Sequence, residues 1–260
     1  LMEEARRMTM ENDCDLGIVF DTDVDRAAFV DDRGTILSRN RLIGLLAEIL
    51  AKKTPGCTIV TDSVTSDHLT EFIENLGCVH HRFKRGYRNV INEGIRLNKE
   101  GIICPLAIET SGHCAFSDNY FLDDGAYLAA VMVAEMARSK RDGKSLAEMA
   151  VALKDPVEAA EYRLKITTPE YKTYGESVLT SLRDYLAAQP SWKIAPVNHE
   201  GVRVSIPVHQ GWFLLRMSLH DPLMPLNVES DAVGGVQKIV KDLSVFLESF
   251  SALDLSPLSQ

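Results

Sequence analysis

Residues 57–108, CTIVTDSVTSDHLTEFIENLGCVHHRFKRGYRNVINEGIRLNKEGIICPLAI, decide the fold. Cys57–Thr61 reads as a strand, and Ser66–Leu76 reads as a helix closed by Gly77. Val79–Phe83 reads as a second strand, Asn89–Lys99 as a second helix and Ile103–Ile108 as a third strand. Such β-α alternation favours a mainly parallel sheet covered by helices. Ligands in sheets of that kind bind beyond the carboxyl ends of the strands.

Upstream, Asp15–Phe20 (DLGIVF) is a short buried-strand pattern ending in acids, and this acidic cluster and the polar run after Ile108 are both expected at such carboxyl ends. Ala27–Val30 leads into Asp31-Asp32-Arg33-Gly34, a hairpin turn signal, and then Thr35-Ile36-Leu37. Arg41–Lys53 carries apolar residues at helical spacing, with Pro55-Gly56 as its stop. Downstream, a long helix is expected from about Asp124 to Arg138, with Asp124 capping its first turn. Arg141–Lys154 is charged and helical in pattern, and Pro156 to about Glu170 reads as a link to a second unit. From Thr173 the pattern changes. A helix (Gly175–Ala188) precedes strands around Gly201–Ile206, Gly211–Arg216 and Met224–Glu229, and a helix from about Gly235 to Phe250 follows. The expected fold class is α/β: a mixed, mainly parallel sheet domain with flanking helices, plus a small C-terminal α+β domain.

The chain of 260 residues is 45% hydrophobic and 25% charged, ordinary for a globular protein, with a net charge of -9. That charge argues against a broad nucleic-acid surface, which needs a basic face, but leaves room for a small anion held by a local Arg/Lys cluster. Five scattered cysteines without CxxC spacing indicate neither a disulfide framework nor a zinc site, so a reducing compartment is expected. No apolar run reaches the roughly 20 residues of a membrane span. Leu1 followed by a charged helical pattern is no signal peptide, and the chain is expected to continue a longer protein upstream.

Four stretches carry chemistry. Asp21-Thr22-Asp23-Val24-Asp25-Arg26 sets three carboxylates two residues apart directly after a strand. Acids this close repel one another unless a cation sits among them, and Mg²⁺ takes hard oxygen ligands of this kind. Arg26 is placed to pair with a phosphate or with one of the acids. An EF-hand needs Gly where Arg26 stands and a helix in front, so that reading fails. A haloacid-dehalogenase-type phosphatase fits Asp21 and Asp23 but expects Thr or Val at Asp25; a solvated acidic turn is the plain alternative. The second stretch, Glu109-Thr110-Ser111-Gly112-His113, offers directional hydrogen bonds suited to vicinal sugar hydroxyls, and His113 exchanges protons near neutral pH. By itself an SGH tripeptide is a polar turn. The third sets Arg82, Lys84, Arg85 and Arg88 around Gly86, where backbone N–H groups can approach an anion at a helix start. A solvated basic face is the competing reading there. The fourth, Arg216-Met217-Ser218-Leu219-His220-Asp221-Pro222, lies between two strands of the C-terminal domain.

Together these stretches resemble the phosphohexose mutase family of phosphoglucomutases and phosphomannomutases. DTDVDR is similar to that family's DGD-x-DR metal loop, with Thr22 in place of Gly. Ile108–His113 is similar to its GE-x-SGH sugar loop, with Ile108 in place of Gly, and Ser117–Glu135 extends that likeness. FKRGYR is similar to its K-x-G turn. Arg216–Pro222 resembles its RxSGTEP phosphate loop, but Leu219 and His220 replace the Gly-Thr pair that wraps an anion, and Pro225 stands where a second Arg often occurs. The resemblance implies the end of domain 2 over residues 1–40, domain 3 over 41–155 and domain 4 over 156–260. It implies Mg²⁺ on Asp21, Asp23 and Asp25, catalytic support from Arg26 and His113, and substrate binding by Lys84, Arg85, Tyr87, Glu109, Ser111, Arg216, Ser218 and His220. It further implies interconversion of hexose 1-phosphate and hexose 6-phosphate through an upstream phosphoserine and a bisphosphate intermediate. The expected partners are hexose phosphate and the preceding domains of the same protein, with no nucleic acid and no membrane. These residues alone are expected to be inactive, and a non-catalytic sugar-phosphate-binding paralogue is the alternative. The expected compartment is the cytoplasm, or a plastid should a transit peptide lie upstream.

Overall fold

A computed structural model describes residues 1–37 and 39–259, which form two compact units, Leu1–Lys154 and Asp155–Gln260. In the first unit a helix, α1 (Met2–Glu11), precedes a two-stranded ribbon, β1 (Leu16–Phe20) and β2 (Ala27–Asp31). Then follow α2 (Arg39–Lys53), β3 (Thr58–Thr61), α3 (Asp67–Asn75), β4 (Val79–Arg82), α4 (Tyr87–Lys99), β5 (Leu106–Ile108), β6 (Cys114–Phe116) and α5 (Gly125–Arg141).

Strand order is β4-β3-β5-β6, with β3 parallel to both neighbours and β6 antiparallel to β5. Side chains alternate across a strand, so β3 divides its apolar residues between two layers. Ile59 packs with Leu45 and Ile49 of α2, Leu69 and Ile73 of α3, and Leu128 and Met132 of α5. Val60 faces the other way, against Val90 and Leu97 of α4. The expected α/β class is therefore borne out as a sheet between helix layers. Two of the helices start on side-chain caps: Ser66 Oγ accepts from His68 N at 3.3 Å, and Asp124 Oδ1 accepts from Tyr127 N at 2.9 Å.

Three local expectations change. β1 is half-buried rather than buried, and it pairs antiparallel with β2 outside the parallel sheet, so the acidic loop is a hairpin connection and not the end of a parallel strand. Arg141–Lys154 is not a helix: past α5, Gly143 turns at φ 72°, one 3₁₀ turn spans Leu146–Glu148, and Leu146, Met149 and Leu153 bury themselves beside α2. Packing of these three apolar residues overrides their helical spacing. Residues 156–170 are not a link, because β7 (Glu158–Ile166) runs through them.

The second unit is antiparallel throughout. Besides β7 it contains α6 (Tyr171–Ala187), β8 (Lys193–Ile194), β9 (Val202–Ile206), β10 (Gly211–Leu215), β11 (Leu223–Ser230), α7 (Gly235–Leu247) and β12 (Leu253–Asp254). The sheet order is β12-β7-β11-β10-β9-β8. Val178 and Leu182 of α6 and Ile239 and Leu243 of α7 share a core with Val204, Phe213 and Leu226. This is the expected small α+β domain. Among the described residues no helix is long and apolar enough to cross a membrane.

Candidate functional site

The acidic loop joins two paired strands, with Phe20 opposite Ala27, so its six residues must turn sharply. Val24 adopts a left-handed φ of 61°, and its carbonyl accepts Gly125 N at 3.0 Å, pinning the loop to the start of α5. Carboxylate oxygens of Asp21, Asp23 and Asp25 lie within 4.8 Å of one another. Arg26 Nε donates to Asp21 Oδ2 at 2.6 Å and lies 3.5 Å from Asp25 Oδ1. That Asp25 oxygen is buried and accepts no hydrogen bond among the described residues. Desolvation, with Asp123, Asp23 and Asp21 adding to it, pushes the Asp25 carboxyl above the usual range against the pull of His113. A repelling triplet with one buried, unsatisfied oxygen fits a hard divalent cation such as Mg²⁺.

The loop meets the β5–β6 turn directly. Arg26 and His113 form an antiparallel bridge, and His113 Nδ1 lies 3.6 Å from Asp25 Oδ2 and 2.7 Å from Asp123 Oδ2. The Asp123 hydrogen bond is the main cause of a raised His113 pKa. Tyr87, at the start of α4, stacks on the His113 ring with centroids 4.9 Å apart. Asp123 is absent from the candidates read from the sequence, because its tie to His113 crosses a turn that local pattern does not predict.

Glu109 is buried, and both of its oxygens are used within the loops: Oε1 accepts Gly86 N at 2.5 Å and Oε2 accepts Ser111 Oγ at 3.0 Å. Gly86 and Gly112 adopt φ of 110° and 104°, a region in which a side chain is strained. Lys84, Tyr87 and Ser111 are exposed and Arg85 is half-buried. In the first unit, then, Asp21, Asp23, Asp25, Arg26, Arg85, Tyr87, Glu109, Ser111 and His113 stand on three adjoining loops. Lys84 is on the same β4–α4 loop, with no partner recorded among the described residues.

Arg216, Ser218 and His220 belong to the second unit, on the β10–β11 loop. Arg216 is buried: Nε lies 3.9 Å from Glu200 Oε1, and a terminal nitrogen donates to Met217 O at 3.2 Å. Ser218 Oγ accepts Asp221 N at 3.3 Å, and His220 is exposed. The loop is thus tied to its own unit through Arg216 and Ser218.

The α/β/α unit thus sets a carboxylate triplet, whose oxygens could hold a cation, against a polar Glu-Ser-His turn. Residues 38–155 match the family described as phosphoglucomutase/phosphomannomutase, alpha/beta/alpha domain III. A phosphomannomutase/phosphoglucomutase of Pseudomonas aeruginosa is 29% identical over 259 residues, 98% of this chain and 51% of that protein. A phosphomannomutase of Escherichia coli is 28% identical, over 88% of this chain and 46% of its own length. The crystal structure of a phosphoglucomutase/phosphomannomutase family protein from Burkholderia thailandensis superposes with a TM-score of 0.75 at 25% identity, over 95% of this chain and 49% of that one. An Aspergillus fumigatus N-acetylphosphoglucosamine mutase, solved with GlcNAc-6P and magnesium, shares the fold at a TM-score of 0.57 and 12% identity, over 89% of this chain and 48% of its own. Residues 38–155 thus match domain III of the phosphoglucomutase/phosphomannomutase family, and over nearly its whole length the chain is similar to proteins of that family. It spans about half the length of the curated relatives it matches.

Proposed function

We propose that these residues supply the metal, sugar and distal-phosphate loops of a Mg²⁺-dependent mutase that interconverts hexose 1-phosphate and hexose 6-phosphate. The observation that carries the reading is the junction of the DTDVDR loop with the Glu109–His113 turn through the Arg26–His113 bridge and the Asp25–His113 contact. Residues 1–40, 41–155 and 156–260 are read as the end of domain 2, domain 3 and domain 4. Asp21, Asp23 and Asp25 would hold Mg²⁺, which supplies neutralisation of charge on a transferring phosphoryl group. Arg26 positions Asp21 and offers its remaining donors to phosphate. Glu109 and Ser111 receive sugar hydroxyls, Lys84 and Arg85 take the anion, and Tyr87 packs on the ring. His113, oriented by Asp123, holds a proton at the cleft. Arg216, Ser218 and His220 bind the distal phosphate. The phosphoserine is expected outside these 260 residues, which by themselves bind without turning over; a cytoplasmic location fits the thiol content.

Calorimetry tests the assignment. Asp23→Asn is expected to weaken Mg²⁺ binding about tenfold or more with the thermal midpoint unchanged, because an exposed loop acid supports no core. Glu109→Gln is expected to weaken glucose 6-phosphate binding more than Mg²⁺ binding. Unchanged Mg²⁺ affinity in the first, or the reverse order in the second, refutes the roles. One observation favours a second reading, a sugar-phosphate-binding paralogue without turnover: Arg216 is buried beside Glu200, and Leu219 and His220 stand where a flexible Gly-Thr pair would wrap an anion. Conversion of glucose 1-phosphate by the whole protein with a bisphosphate primer separates the two.

A further inference from the structure

Asp62 follows Thr61, the last residue of the central strand β3, and it is fully buried. Its Oδ2 accepts the Thr110 hydroxyl at 2.7 Å, across 48 residues of sequence. The same oxygen lies 3.9 Å from Arg85 Nε. Its Oδ1 accepts no hydrogen bond among the described residues. A buried carboxylate left half-satisfied is costly, and a fold retains one where it does something a neutral residue cannot.

The surroundings indicate what that is. Thr110 lies between Glu109 and Ser111 on the β5–β6 turn. Arg85 precedes Gly86 on the β4–α4 loop, and Gly86 N is fixed on Glu109. The Arg85 guanidinium donates no hydrogen bond among the described residues, so its donors stay available while the Asp62 charge holds it from behind. We propose that Asp62 is a positioning residue, locking the Glu109–Ser111 turn through Thr110 and orienting Arg85 by charge, so that two loops present one surface to a phosphorylated sugar. This deepens the functional reading above and rests on it for the identity of the ligand.

The charged groups acting on Asp62 are Glu109, from the β5–β6 turn, and Arg85, from the β4–α4 loop. Burial is the largest influence and pushes the carboxyl up to about 6, with Glu109 adding to the rise and Thr110 and Arg85 opposing it. Above that pH the ionised group attracts Arg85; below it the attraction fades, while a protonated carboxyl still accepts from Thr110.

The test reads the loops first without ligand. In the 260-residue chain at pH 7.5, hydrogen–deuterium exchange across residues 83–89 and 109–113 is expected to be about tenfold faster in Asp62→Asn and in Thr110→Val, the weight of a charge-assisted hydrogen bond. Thr110→Ser keeps the hydroxyl and is expected to match the parent, and strands of the second unit serve as the unchanged control. Calorimetric titration with glucose 6-phosphate supplies the second readout. Asp62→Asn is expected to bind about tenfold more weakly than the parent at pH 7.5, with the gap closing towards pH 5 as the parent takes up its proton. Unaltered loop exchange in both variants, Thr110→Ser as fast as Thr110→Val, or an affinity gap independent of pH overturns the inference. If the parent binds no hexose phosphate while the loops respond as described, the ligand assignment falls and the positioning role stands; binding without any loop response has the opposite meaning.

Discussion

Replacing Asp62 with Asn is expected to make the first unit more stable at neutral pH even as it loosens the β4–α4 and β5–β6 loops. The Asp62 carboxyl is pushed from the usual 3.8 up to about 6, chiefly by burial. The folded chain therefore binds this proton more tightly than the unfolded chain. The stability that goes with the proton is present at low pH and is lost as pH rises through about 6. A tenfold change in proton affinity is worth about 1.4 kcal/mol, so the ionised group costs the fold ~3 kcal/mol above that pH. Asn carries no charge and its carbonyl can still accept from Thr110, so the cost is removed with at most about 1 kcal/mol lost in a poorer hydrogen bond. Asp62→Asn should therefore gain roughly 2–3 kcal/mol at pH 7.5 and lie within about 1 kcal/mol of the parent at pH 4.5. Urea denaturation at the two pH values measures it, and the difference between variant and parent cancels every other titrating group. Both tryptophans, Trp192 and Trp212, lie in the second unit, so their emission follows the other half of the chain. Far-UV circular dichroism, supported by exchange across residues 57–66, follows the relevant one. A variant–parent difference that is the same at both pH values refutes the reasoning.

Other substitutions address other elements. In Gly125→Ala a Cβ would stand 2.7 Å from the Arg26 carbonyl carbon and 2.8 Å from Val24 O, both backbone atoms, so α5 must withdraw from the acidic loop; Mg²⁺ affinity by calorimetry is expected to fall about tenfold or more. Glu93, buried on α4, is held below the usual carboxylate range first by its hydrogen bonds from Arg96 and then by His81. Its contribution is complete above the usual 4.5 and is lost as pH falls through the lowered value, so Glu93→Gln should flatten the decline of stability below pH 4.5 in denaturant titrations. Leu243→Ala opens a cavity in the second unit and is expected to cost about 2–5 kcal/mol, read by tryptophan fluorescence in urea.

What the sequence disclosed and what it hid divide along one physical line. The elements of residues 57–108 were legible because each rests on its own periodicity: β3 through an apolar run, and α3 and α4 through one buried face apiece. β7 reads as a link, although Ala160, Tyr162, Leu164 and Ile166 alternate inward across it. Glu161, Arg163 and Lys165 fill the outward positions of that alternation, so the strand signal is present in the sequence, and the flanking polar residues on either side give the segment the look of a connection. The loops proposed to hold metal, sugar and phosphate stood out because their residues are consecutive. Their setting did not: that a hairpin connection outside the parallel sheet meets the end of β5 depends on a bridge between Arg26 and His113, which no local pattern announces.

The same line separates Glu109 from Asp62, two buried acids at the ends of adjacent parallel strands. Glu109 lies in a polar run and takes its meaning from neighbours in sequence, Ser111 above all. Asp62 lies in TDSVTS, a stretch that reads only as the exit from a strand, and takes its meaning from Thr110 and Arg85, 48 and 23 residues away. Yet the two depend on each other. A carboxylate oxygen has two lone-pair sites, so Glu109, with one site used on Gly86 N and one on Ser111 Oγ, keeps acceptor capacity for a hydroxyl. That capacity is useful only if the turn is held still, and the group holding it is the acid behind it, through a bond from the residue between Glu109 and Ser111. Local sequence can thus name the groups that touch a ligand while missing the group that fixes their direction.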